Sequence, residues 1–117
     1  MKETFERNQI KAILSPAHFS SAFKIENGND FGTQWDYTLI FNLFGLPSGV
    51  VPVTVVEKEE TNKYEDRYED EWTSRIREDL KGAEGLPIGV QISSWLDEDE
   101  ECLGIMKALD DQVAFKL

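Results

Sequence analysis

The amino-acid sequence predicts an α/β fold: strands at about 12–14, 50–56 and 88–93 in a parallel or mixed sheet, flanked by helices at about 34–44, 60–81 and 97–113. Three observations predict it. Val50-Val51-Pro52-Val53-Thr54-Val55-Val56 holds five valines in seven residues, the β-branched enrichment of a strand. Ile88-Gly89-Val90-Gln91-Ile92 is a second such run. Between them lies a charged segment with an apolar residue at every fourth position, the mark of an amphipathic helix. Strand, helix, strand in that order reads as a βαβ unit, which pairs in parallel through a right-handed crossover.

In chain order, Lys2–Lys11 is polar with Phe5 and Ile10 interspersed and reads as a short helix. Ala12-Ile13-Leu14 is a brief strand stopped by Ser15-Pro16. Residues 17–33 carry the turn chemistry of Asn27-Gly28-Asn29-Asp30 and Phe31-Gly32 and read as loop. Trp35, Leu39, Ile40, Leu43 and Phe44 recur at helical spacing, with Gly45 as the C-terminal stop. The valine run does not alternate apolar with polar, so it is expected to be covered on both faces. Pro52 cannot donate a ladder hydrogen bond and belongs at a bulge or an unpaired point. Tyr64, Tyr68, Trp72, Ile76 and Leu80 form the stripe of the charged helix, ended by Gly82 and Gly85. Cys102, Ile105, Met106, Leu109 and Val113 mark a last helix, and Asp97–Glu101 at its start suit the positive end of a helix dipole.

At 117 residues the chain fits one domain, 1–117, and not two. Its charge is uneven: residues 1–56 hold five acids and four bases, whereas 57–117 hold eighteen acids and eight bases, a net of −10. Such a surface repels phosphate backbones and anionic headgroups, which argues against nucleic-acid and membrane-surface partners and leaves a basic protein partner open. The one cysteine, Cys102, allows no intrachain disulfide, and its apolar neighbours point to a buried, inert thiol. With no signal-peptide core and no transmembrane segment, the expectation is an intracellular, cytoplasmic protein.

Tyr37-Thr38-Leu39-Ile40-Phe41-Asn42-Leu43-Phe44-Gly45-Leu46-Pro47-Ser48-Gly49-Val50-Val51-Pro52-Val53-Thr54 resembles the helix, Pro-small-Gly turn and strand of fatty acid amide hydrolases, members of the amidase-signature family. Trp72 followed by Gly85-Leu86-Pro87-Ile88-Gly89-Val90-Gln91 resembles that family's next block, and Cys102-Leu103 with Ile105-Met106 its last helix. Ile13-Leu14-Ser15-Pro16 is a weaker match to the preceding strand. The similarity covers nearly all of this chain but only the final fifth or so of the family's usual length. It implies the C-terminal portion of the amidase-signature fold, a partial domain. That reading requires parallel pairing of the Val50 and Ile88 strands.

The family cleaves amides with a Ser nucleophile activated by a second Ser and a neutral Lys, residues that lie upstream of everything matched here. No catalytic residue is therefore assigned, and the chain alone is expected to be inactive. Ser20-Ser21 and Ser93-Ser94 are the serine pairs, neither in a Gly-rich loop, and both read as loop or strand-end serines. The resemblance implies substrate binding at Trp35 and Leu39, four apart on one helix face, where an acyl chain would gain ~0.8 kcal/mol per buried methylene. Packing in a core is the plainer reading of both. No metal or other cofactor is implied: Asp97–Glu101 lacks the glycine and spacing of a hard-cation loop, and His18 is a lone histidine. The expected partners are the remainder of an amidase chain, with a fatty amide as ligand; a non-catalytic acidic binding subunit is the alternative.

Overall fold

The computed structural model describes residues 2–28, 35–65 and 67–116. Its elements are α1 (Lys2–Asn8), β1 (Ala12–Pro16), α2 (Asp36–Leu43), β2 (Ser48–Val55), α3 (Glu71–Leu80), β3 (Pro87–Ser94) and α4 (Asp99–Val113). Single 3₁₀ turns lie at Ile25–Asn27 and Glu60–Asn62. The class is α/β, and the three strands form one sheet in the order β1-β3-β2.

The pairing differs from the sequence expectation. β3 runs antiparallel to both neighbours, with Val51 opposite Val90 and Leu14 opposite Ile92. The reason lies in the connection. Val56 N–H donates to Leu86 O at 2.9 Å and Gly85 N–H donates to Val56 O at 3.0 Å, so residues 57–84 leave and return at one end of the sheet. A parallel pair needs a crossover that carries the chain back along the strand. Here α3, ten residues long, returns the chain beside its exit, and the unit is an elaborated hairpin.

The register of β2 slips between Pro52 and Thr54, which places Val53 as the extra residue and Pro52 at the bulge, as its missing N–H requires. β2 is not covered on both faces within this chain. Val51 is buried and Val53 and Val55 are half-buried, whereas Ser48, Val50, Pro52 and Thr54 are exposed. While one face meets only the start of α2, the other carries a closely packed helix.

That helix is α4. Val51, Ile92 and Cys102 form the buried core, with Ala12, Ile105, Met106 and Leu109 packed around it. The Cys102 thiol faces Pro47 O at 3.5 Å, which ties α4 to the turn before β2. An added Cβ at Gly49 would meet the flexible end of the Met106 side chain, which shows how closely α4 lies on this strand.

The expected helix 60–81 is corrected to α3 alone. Tyr64 and Tyr68 lie outside it, and Asp66 is outside the described residues. Asp70 sets the boundary: its backbone is extended and its carboxylate accepts from Thr73 N–H at 2.8 Å, an N-cap. Thr73 Oγ1 donates to Tyr68 O at 2.7 Å, which further fixes the turn ahead of the helix. The helix expected at 34–44 is α2, with Gln34 outside the described residues; the loop positions 29–33 are outside them too. Gly45, at φ +65°, takes the left-handed position that ends α2.

Candidate functional site

Gln91 and Ile92 are neighbours on β3, so their side chains point to opposite faces of the sheet. Ile92 faces α4. Gln91 is buried on the other face, where its Nε2 donates to Ser15 Oγ at 3.3 Å and to Tyr37 O at 3.2 Å. The second bond pins the first turn of α2 over that face. Phe41 and Leu46 are buried at the far end of the helix. On the same face Ser93, fully buried, meets Ser48 Oγ at 2.7 Å.

With one side fixed, α2 turns an apolar stripe outward. Leu39 N–H donates to Trp35 O at 2.6 Å, so the two residues expected to bind an acyl chain share one helical turn. Trp35 is 68% exposed, Leu39 52% and Leu43, one turn further on, 78%. The plainer expectation that Trp35 and Leu39 pack in a core is not met within this chain. Sequence spacing already placed Leu43 on the stripe. The anchoring roles of Gln91 and the Ser48–Ser93 pair were missed, because buried polar residues on a strand carry no periodic signal.

The serine pairs stand apart from one another. Ser93 and Ser94 close β3 and are fully buried. Ser20 and Ser21 lie in the loop after β1, in a cleft that Lys63 also lines. Ser21 Oγ has no hydrogen-bond partner, so no proton relay runs from that hydroxyl.

Among the described residues, the groups with displaced pKa values are all away from the stripe. Lys81 lowers Glu78 through a hydrogen bond and its charge, and Asp111 raises Lys107 in the same two ways. Glu98 is raised, chiefly by a hydrogen bond shared with Glu101. No cluster of three or more His, Cys, Asp or Glu side chains suited to a metal occurs among the described residues. Nor is any helix among them long and apolar enough to cross a membrane.

An uncovered apolar helix over a one-sided sheet is what a piece of a larger α/β domain presents, and comparison with known proteins identifies that domain. Residues 1–103 match the Amidase family, and the chain belongs to it. It is 30% identical over 112 residues to fatty acid amide hydrolase 1 of Caenorhabditis elegans, a match covering 94% of this chain and 20% of that protein. It is 33% identical over 81 residues to fatty-acid amide hydrolase 1 of Sus scrofa, covering 67% of this chain and 14% of that one. A solved fatty acid amide hydrolase structure superposes with a TM-score of 0.74 at 25% identity, over 97% of this chain and 21% of that one. The chain thus spans about a fifth or less of the length of these relatives. The antiparallel pairing of β2 with β3 removes the parallel-strand requirement and leaves the family assignment standing.

Proposed function

We propose that this chain supplies the C-terminal part of a serine amidase that hydrolyses fatty acid amides, with α2 contributing to the path of the acyl chain. The observation that carries this reading is the outward stripe Trp35-Leu39-Leu43, on a segment that superposes almost throughout on a fatty acid amide hydrolase. In this reading the nucleophile and its Ser and Lys partners come from the remainder of an amidase, which covers α2 and the open sheet face. The stripe supplies apolar contact, and its part in the reaction is to orient a long acyl group.

Incubation of the purified chain with oleamide or an arylamide tests the division of labour. No turnover and no labelling by a serine-directed fluorophosphonate are expected. Amide hydrolysis that the fluorophosphonate blocks would overturn the reading. The acidic second half also fits a non-catalytic subunit that holds a basic partner. That alternative is favoured if native extract yields a stoichiometric partner released by salt, since screening weakens exposed ion pairs.

A further inference from the structure

α1 and the turn between β3 and α4 enclose a cleft of about 470 Å³, within the size range of small-ligand sites. Its described lining comes from α1, the residues leading to β1, and that turn, so it is separate from the stripe on α2. Two residues with left-handed backbone shape it. Gln9, at φ +53°, turns the chain out of α1, and its N–H donates to Glu6 O at 3.3 Å. Asp97, at φ +63°, bends the other side, where Glu98 N–H donates to Trp95 O at 3.2 Å. The rings of Phe5 and Trp95 meet at 5.2 Å between centroids and, with Ile10, give the cleft its apolar wall.

Lys2, Glu6, Gln9, Lys11 and Glu98 supply the polar groups. Both lysines already have carboxylates: Lys2 Nζ lies 3.9 Å from Glu6, and Lys11 Nζ lies 3.2 Å from Glu101. Glu98 is placed differently. It is half-buried, and the side chain it meets is another acid, Glu101, through the shared hydrogen bond that raises its pKa. A carboxylate beside a like charge and an indole ring favours a bound cation, because the charges and the ring's π face both attract one. The net charge of −11 on the whole chain draws cations to its surface. No three His, Cys, Asp or Glu side chains converge on a metal among the described residues, so the cleft suits an organic cation.

We propose that this cleft binds an organic ammonium ion carrying a short apolar group. The ammonium sits between the Glu98 carboxylate and the Trp95 ring, and the apolar group lies against Phe5 and Ile10. Lys2 and Lys11, engaged by their own acids, form the rim.

The probe is 2-phenylethylammonium, titrated into the full chain at pH 7 and low salt. The readout is the indole N–H resonance of Trp95, one of three tryptophans, assigned with Trp95→Phe. Saturable movement is expected, and affinity should fall as salt screens the Glu98 charge. Glu98→Gln keeps a donor toward Glu101 and loses the charge, so binding should weaken about tenfold. Lys11→Gln removes a like charge from the rim and should tighten binding about twofold. Leu39→Ala should leave it unchanged, and phenylacetate, a similar ring with the opposite charge, should not bind. An unmoved Trp95 resonance at the highest amine concentration would overturn the proposal. Equal affinity in Glu98→Gln would do the same. Phenylacetate binding that Lys11→Gln abolishes would assign the cleft to an anion and sink the proposal.

Discussion

α2 and α4 are both apolar helices laid on the same three-stranded sheet, one on each face, and their fates differ. α4 buries its stripe: Cys102, Ile105, Met106 and Leu109 close over Val51 and Ile92. α2 buries Phe41 and leaves Trp35, Leu39, Ile40, Leu43 and Phe44 exposed. Composition does not separate the two. What separates them is the sheet face beneath. The face under α4 presents Val51, Val90 and Ile92, whereas the face under α2 mixes Ile13 and Val50 with Ser15, Gln91, Ser93 and Ser48, whose polar groups meet one another and the start of α2. A polar face can locate a helix without covering it. The contiguous apolar surface left on α2 has the character of an interaction surface rather than of a core.

The comparison breaks first at Ile92. Its side chain is fully buried between the sheet and α4. Ile92→Ala should lower the unfolding free energy by about 2–5 kcal/mol in a denaturant titration, and α4 should detach with it. An effect within the range of a surface substitution would mean that the α4 face is no better packed than the α2 face.

Gly49→Ala comes next. The added methyl meets the flexible end of Met106, so the thioether must swing aside, at a cost of about 1 kcal/mol or less. Met106→Ala in the same chain should recover part of that cost, since it removes the obstacle. Simple additivity of the two changes in thermal denaturation would count against direct contact.

Those two sites also show what sequence could and could not reveal. The apolar residues of α4 and the valines of β2 are legible because their identities follow from burial. Gly45 as a helix stop and Pro52 at a bulge are legible because each residue has few backbone options. The pairing direction was not legible. It depends on where α3 begins, and a fourfold stripe running from Tyr64 to Leu80 hides the Asp70 cap that starts the helix seven residues before Arg77 and six after Tyr64. A helix long enough to span 60–81 implies a crossover, and the shorter one permits a hairpin. Trp35 and Leu39 were legible as a shared face, but their exposure was not, because spacing does not tell what lies opposite.

A smaller effect is expected on α2 itself. Leu39→Ser with Leu43→Ser removes exposed apolar area, so stability should change by no more than about 0.5 kcal/mol for each. Binding of a hydrophobic dye should fall clearly. A large loss of stability would show that the stripe is covered in solution, by a second copy or by a rearranged helix.

The smallest effect belongs to the start of α4, where Glu98 and Glu101 share a hydrogen bond that needs a proton. That bond raises the pKa of Glu98 above its ordinary 4.5. A carboxyl raised in the folded state stabilises the fold below its unfolded pKa, and that contribution is lost as pH climbs through the folded value. α4 should therefore fray slightly as pH rises from about 4.5 upward, read by amide exchange in its first turn. Lys11, 3.2 Å from Glu101, and the helix dipole both favour the charged carboxylates and keep the effect small. Glu98→Gln supplies an N–H donor to Glu101 at every pH and should flatten the profile. An unchanged slope in that variant would show that the shared proton does not cause the fraying.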